Sequence, residues 1–355
     1  MFNNIYKGKK VLITGNTGFK GSWLTTWLLM LGAEVVGVSK DIPTDPAMYD
    51  VIKLNNKIKF YKLNVCEIEP LKKIIIDEEP DFIFHLAAQP IVSVSYDDPI
   101  ETISSNVMGT TNVLEALRVL NPKCTAIIIT SDKCYDNVEQ VWGYKESDQM
   151  GGKDVYSGSK GAAELIIKSY FYSFFQTNKC NVKLAVGRAG NVIGGGDWAK
   201  DRIIPDSINA INRNHNIKIR NPDSIRPWQY VLEPISGMLW LARKMYSNQK
   251  EFNSIKENIF WIANESRKYL SDNNYPAKMY DFIKTSYQTN QHKNNWELTR
   301  DAVYQRYQLN NNDGYRYQTP FESGITFAAS LVSLFYGEGN IVRTIQIGTL
   351  AGWDS

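Results

Sequence analysis

An α/β fold with a parallel sheet covered by helices on both faces is what this sequence predicts. Three observations carry the prediction. Short β-type runs alternate with helix-period stretches from residue 9 to residue 188. The connections between them are short, as packed crossover units require. The first run, Lys9–Thr14, passes into a glycine turn, a helical stretch and a second run within about thirty residues, the setting a dinucleotide fingerprint needs.

In order, the first run is Lys9-Lys10-Val11-Leu12-Ile13-Thr14, and the turn is Gly15-Asn16-Thr17-Gly18-Phe19-Lys20-Gly21. Glycines there permit a tight turn and close backbone approach, so a pyrophosphate can rest on the N-terminus of the helix predicted over 22–31. Strands follow at 34–38 and 60–65, and a fourth begins at Asp81 and leads into the loop Ala87-Ala88-Gln89. His85 reads best as a satisfied strand-end histidine. A helix is predicted from about Pro99 to Leu120 with Asn106 inside it. The fifth strand, Thr125–Ile129, opens onto Thr130-Ser131-Asp132-Lys133. Tyr156 and Lys160 come next, four residues apart on one helix face. A strand over 183–188 then enters the glycine-dense loop Ala189–Trp198, where ligands meet sheets of this kind.

At the end of the second strand the charges point two ways. Asp41 suits the ribose hydroxyls of NAD, Lys40 suits the 2′-phosphate of NADP, and a plain loop charge explains either. Arg202, Arg220 and Arg226 stand in loops near the expected cleft, where a guanidinium can grip a diphosphate with two parallel hydrogen bonds; structural ion pairs are the competing reading.

Composition bounds the class. At 355 residues there is length for one large or two ordinary domains, and 43% hydrophobic with 22% charged residues is ordinary for a soluble protein. A dispersed net charge of +3 gives nucleic acid nothing to bind. The apolar stretch Trp23–Leu31 is too short to span a bilayer, and the polar start reads as no secretory signal. Cys66, Cys124, Cys134 and Cys180 lie far apart without metal-ligand spacing, so no metal is expected and a reduced, cytoplasmic protein is.

Long ordered stretches carry a resemblance beyond the glycine triplet. They are Thr14–Leu24, Thr130-Ser131-Asp132-Lys133-Cys134-Tyr135, Trp142-Gly143-Tyr144, Arg188–Trp198 and Arg226-Pro227-Trp228-Gln229. Over about residues 7 to 250 the chain resembles the nucleotide-sugar 4,6-dehydratases of the extended short-chain dehydrogenase/reductase family, and Asp132-Lys133 resembles the CDP-glucose subgroup. The resemblance implies a Rossmann-like domain over 1–182, partial substrate-binding elements over 183–253, and a homodimer acting in deoxysugar biosynthesis. It implies NAD held by Gly15, Thr17, Gly18, Phe19, Gly21, Asp41, Asn64, Val65, Ala87, Ala88, Gln89, Asn106, Tyr156 and Lys160, with NADP left open. Asn64-Val65 stands where the family has Asp-Ile. Asn191, Arg202, Ile204 and Arg226 are the implied contacts of a nucleotide-sugar substrate.

The implied reaction is a hydro-lyase cycle. Tyr156 takes the sugar 4-hydroxyl proton, Ser131 bonds the same oxygen, and Lys160 lowers the phenol's pKa and orients the cofactor ribose. Lys133 removes the C5 proton and Asp132 protonates the departing 6-hydroxyl. The lysine must then be neutral and the carboxyl protonated. A sugar-nucleotide epimerase or reductase shares the Tyr-Lys chemistry but has no need of Asp132-Lys133. Residues 254–355 instead resemble part of an ADP-ribosylglycohydrolase and read as a helical tail. Of that family's metal carboxylates Asp354 alone is visible, so the tail raises a third reading, a catalytically impaired chimera.

Overall fold

Side chains along each central strand alternate between two cores, so both faces of the sheet have to be covered. The computed structural model describes residues 2–138, 144, 146–176, 180–220, 224, 226, 228–247 and 259–261. Its strands are β1 (Lys10–Thr14), β2 (Glu34–Ser39), β3 (Lys59–Lys62), β4 (Phe82–His85), β5 (Cys124–Ile129), β6 (Val182–Arg188), β7 (Asn191–Ile193), β8 (Trp228–Tyr230) and β9 (Ile259–Trp261). Its helices are α1 (Phe19–Met30), α2 (Met48–Val51), α3 (Ile68–Glu78), α4 (Val92–Asp97), α5 (Pro99–Ile103), α6 (Gly109–Arg118), α7 (Val155–Tyr170), α8 (Ile203–Asn212) and α9 (Leu232–Ser247).

One face of the sheet sends Val11, Ile13, Phe82, Phe84, Ile127 and Ile129 into a core shared with α1 and α9. The other sends Leu12, Ile83, Ala126 and Ile128 into a core shared with α3, α6 and α7. Strands apolar on both sides suit a sheet buried by crossover helices. Seven strands lie in the order β3-β2-β1-β4-β5-β6-β9, each neighbouring pair parallel. α1 is buried from Gly21 through Leu28 because the sheet lies on one side and α9 on the other. Leu24 and Leu28, fully buried there, contribute about 1.5–3 kcal/mol each.

The strand order places the site. From β1 the chain steps outward to β2 and β3, then returns to β4 on β1's opposite side. The carboxyl ends of β1 and β4 therefore flank a crevice, the position where open α/β sheets take ligands. β5 and β6 extend its wall. Beyond them, β7 and β8 pair as a separate two-stranded parallel ribbon, so the expected glycine loop begins with a strand.

The helix expected from Pro99 to Leu120 is interrupted. Between α5 and α6 the turn Ser104–Met108 is π-helical, with Gly109 N–H reaching Ser104 O five residues back. That carbonyl also accepts from Cys66 Sγ at 3.3 Å. Gly109 lies close under Val65, where an added Cβ would stand 2.7 Å from Val65 Cγ2. Strand β3 stops at Lys62, shorter than predicted, which leaves Asn64-Val65 in the loop beyond it. The helical tail drawn from residue 254 is corrected at its start: Ile259–Trp261 is strand β9, in register beside Val186–Arg188, because the open edge of β6 offers a ready ladder. The rest of that tail, Trp142-Gly143, and the 221–223 stretch lie outside the described residues.

Candidate active site

The glycine turn follows from sterics. Gly15 has φ +75°, and a Cβ there would lie 2.7 Å from Ala87 N. A Cβ on Gly21 would run into the Gly15 carbonyl oxygen. α1 starts after Gly18 with no side-chain cap and no carboxylate in its first turn. A glycine turn with no carboxylate at the positive end of a helix fits a dinucleotide pyrophosphate. Thr17 Oγ1 donates to Asp41 O at 2.7 Å, holding the turn against the end of β2. Ser39, not singled out from sequence, accepts from Thr17 N at 3.4 Å and donates to Asn16 Oδ1 at 2.8 Å.

Across the crevice, a chain of hydrogen bonds fixes the β4 loop. Ala87 N–H donates to Thr14 Oγ1 at 3.3 Å, and Thr14 Oγ1 meets His85 Nδ1 at 2.7 Å. His85 Nε2 meets Thr110 Oγ1 at 3.1 Å, and that hydroxyl donates to Asn106 O at 2.8 Å. With Thr110's proton committed to a carbonyl, the tautomer carrying hydrogen on Nε2 is the one that satisfies every group. Burial pushes the imidazole down to about 3, so it stays neutral. This is the satisfied strand-end histidine that the sequence suggests.

Asn106 sits at the centre of the π-turn, where its side chain clamps two elements. Oδ1 accepts from Gln89 N at 2.9 Å; Nδ2 donates to Gln89 O at 3.2 Å and to Ser159 Oγ at 2.9 Å. The Ala87–Gln89 loop is thereby tied to α7.

α7 begins where Asp154 caps it, accepting from Ser157 N at 2.9 Å and Ser157 Oγ at 2.7 Å. Its first turns bury Tyr156 and Lys160 beside the end of β5. Ser131 caps a short 3₁₀ turn over Asp132–Cys134, accepting from Lys133 N and donating to Asp132 Oδ1 at 2.9 Å. Lys133 Nζ bonds Asp132 Oδ2 at 2.9 Å. Burial raises the Tyr156 phenol to about 12, with the neighbouring Ser131 hydroxyl lowering it and the Asp132 charge raising it. Lys160 Nζ lies 5.9 Å from the phenol ring centroid, and it is itself pushed down to about 8 by burial and then by Lys20.

Lys20 escaped the sequence reading. It lines the cleft and is pushed down to about 8 by burial and the Arg202 charge, with Asp132 and Asp197 opposing. A signal was present, since a lysine in the first turn of a helix stands at the wrong end of the dipole. A second missed group lies behind the wall. Arg188, fully buried, donates to Glu164 Oε1 at 2.9 Å, Glu164 Oε2 at 3.0 Å and Tyr135 Oη at 2.7 Å. Thr130 Oγ1 donates to Glu164 Oε1 at 2.5 Å. The residues before Ser131 and after Lys160 are thus braced to each other. The Thr130 hydroxyl bonds into the brace, while the Ser131 hydroxyl bonds Asp132 at the cleft.

The cleft encloses about 760 Å³ and is lined by Ser131, Asp132, Lys133, Tyr156, Lys160, Asn191, Arg202, Ile204 and Arg226. That volume suits a small-molecule ligand. Arg202 is paired with Asp197 at 2.8 Å, and Arg220 is shared between Asp201 and Asp206. Trp23 Nε1 anchors the glycine loop by donating to Gly195 O at 2.8 Å.

Comparison with known proteins agrees with this layout. The family described as GDP-mannose 4,6 dehydratase matches residues 12–325, running past the boundary read at 254. The chain is 48% identical over 253 residues to CDP-glucose 4,6-dehydratase of Salmonella typhimurium, covering 70% of each. It is 30% identical to CDP-paratose 2-epimerase of Salmonella typhi, over 54% of this chain and 59% of that one. Among solved structures it is similar to UDP-glucuronic acid 4-epimerase from Bacillus cereus in complex with UDP-glucuronic acid and NAD. The TM-score is 0.60 and the identity 23%, over 72% of this chain and 78% of that one, a likeness of fold. A match that runs through both the sheet and the cleft loops makes the chain a member of the GDP-mannose 4,6 dehydratase family.

Proposed function

We propose that the chain is a hydro-lyase converting a nucleotide-activated hexose, CDP-glucose, to its 4-keto-6-deoxy form with NAD as internal oxidant and reductant. The observation that carries this is the Asp132–Lys133 hydrogen bond in the same cleft wall as Ser131 and Tyr156. The 48% identity to a CDP-glucose 4,6-dehydratase supports the choice of base and sugar. Gly15, Gly18 and the start of α1 would hold the cofactor's pyrophosphate, with Lys160 at its ribose. A bound nicotinamide would supply the hydride acceptor for C4 of the sugar and the hydride donor for C6.

The residues do the rest. Tyr156, with Ser131 beside it in the cleft wall, takes the 4-hydroxyl proton, and the 4-ketone acidifies the proton on C5. A single proton passing along the 2.9 Å contact from Lys133 Nζ to Asp132 Oδ2 turns an ion pair into an amine and a carboxylic acid. The amine removes the C5 proton, and the acid protonates the departing 6-hydroxyl. Both states demanded by elimination thus come from one transfer. Arg226 and Arg202 serve the diphosphate, Arg202 after leaving Asp197, with Asn191 and Ile204 on the sugar side.

Incubation with CDP-glucose and NAD tests the reading: the product should be one water lighter, with no net reduction of cofactor. A product of unchanged mass would favour epimerisation and sink it. We also infer a homodimer, because Ile100 of α5, Met108 of the π-turn and Leu165 of α7 are exposed apolar residues on elements that pack together. Leu165→Glu should halve the sedimenting mass. No helix among the described residues is long and apolar enough to cross a membrane.

A further inference from the structure

NAD and NADP differ by one phosphate on the adenosine ribose. In a dinucleotide fold that ribose meets the end of the second strand, where a carboxylate favours the free hydroxyl and a cation favours phosphate. Here β2 ends in Ser39, followed by Lys40 and Asp41, so the strand end alone points both ways.

A residue from another element decides between them. Lys40 Nζ donates to Glu101 Oε1 at 2.6 Å. Glu101 belongs to α5, and its carboxylate is also held by Ser105 Oγ at 2.9 Å. Its backbone N–H is bound by the capping Asp98 Oδ1 at 2.9 Å. The carboxylate is therefore placed by its own helix as well as by the lysine. The elements after α5 are tied to the loop after β3: Ser104 O accepts from Cys66 Sγ, and Asn112 Nδ2 donates to Val65 O at 3.0 Å. The Lys40 hydrogen bond holds the Glu101 carboxyl below its usual range, as an ion pair requires.

We propose that Glu101 is the specificity-determining residue for the cofactor: it masks Lys40 and sets a negative charge beside the ribose 2′-oxygen, admitting NAD and refusing NADP. A 2′-phosphate brings further negative charge against the Glu101 carboxylate, and it can reach Lys40 only by displacing that carboxylate. A 2′-hydroxyl disturbs neither group. The inference rests on dinucleotide binding and not on the sugar nucleotide, so its failure and a failure of the dehydration reading are distinguishable.

Calorimetric titration of the full chain with NAD and with NADP tests it without turnover. The wild-type chain should bind NAD more tightly. Glu101→Gln should tighten NADP by about tenfold, with a much smaller change for NAD, and the gain should shrink as salt is added. Adding Lys40→Ala to that variant should erase the gain. Lys40 and Glu101 are 46% and 31% exposed, so losing the pair leaves the fold standing. An NADP affinity in the Glu101→Gln variant within about twofold of wild type overturns the proposal. So does a gain that survives Lys40→Ala, or a wild-type preference for NADP.

Discussion

Two ion pairs stand on opposite sides of the backbone that carries Thr130 and Ser131. Behind it, Arg188 and Glu164 have side chains 0% and 3% exposed, and both are bonded further, to Tyr135 and Thr130. In front, Lys133 and Asp132 are 33% and 14% exposed and face the cleft. The rear pair is saturated and dry, so it sets distance. The front pair keeps lone pairs and protons within reach of a ligand, so it can react. Adjacent residues feed the two: Thr130 donates rearward and Ser131 forward. The difference separates a girder from the pair that, in the proposed dehydration, would serve as reagent.

The sharpest way to break this division is to disable the front alone. Tyr156→Phe or Lys160→Ala should lower formation of the 4-keto product by about 10²–10⁴-fold, while nucleotide binding stays measurable by titration. Full activity in either variant removes the mechanism.

The rear should answer in stability. Glu164→Ala leaves Arg188 buried and unpaired, and should cost about 3–5 kcal/mol in urea unfolding. Exchanging both partners for apolar residues, Glu164→Leu with Arg188→Met, should restore most of that loss, because the buried charges vanish together. Turnover should stay depressed, since Thr130 no longer has its acceptor. A double variant with native turnover would show that the brace positions nothing.

Acid probes a different buried group, His85 at the end of β4. The folded chain holds His85 near pKa 3 against an ordinary 6.5, so the unfolded chain binds the proton that the folded chain excludes. Stability contributed by the neutral ring is present above about pH 6.5 and falls as pH drops toward 3, at roughly 1.4 kcal/mol per pH unit. His85→Gln should flatten that share of the slope; an unchanged slope would mean the ring takes a proton in the fold.

The smallest stability effect belongs to the front pair. Lys133→Ala should change unfolding by less than about 1 kcal/mol, as partly exposed pairs do. Chemically it should let C4 be oxidised while water loss stalls. Unchanged 6-deoxy product would contradict its role as base.

What the sequence makes legible follows contact range. The glycine turn lies within one segment and the Tyr156–Lys160 pair within one helix turn, so spacing alone displays them. Arg188 lies 24 residues from Glu164, and Glu164 lies 34 from Thr130. In sequence Arg188 is merely a strand-end arginine. Glu164, four residues beyond Lys160, left a faint sign of a shared face. The π-turn at Asn106 leaves no mark, because the apolar period runs on through it. The Lys40–Glu101 contact spans 61 residues, and so the charges after β2 read ambiguously until α5 is in place. β9 was misread because the residues around it resemble another family, while pairing with β6 is decided by the sheet edge.

In the proposed dehydration one cofactor would carry hydride from C4 to C6 while the Asp132–Lys133 pair removes water between the two transfers. CDP-glucose carrying deuterium on C4 tests it directly, with the product read by mass spectrometry and NMR. The expected product is a 4-keto-6-deoxy sugar nucleotide with that deuterium on C6 and no net gain of reduced cofactor. Deuterium left on free reduced cofactor, or returned to C4 in a product that has lost no water, would contradict it.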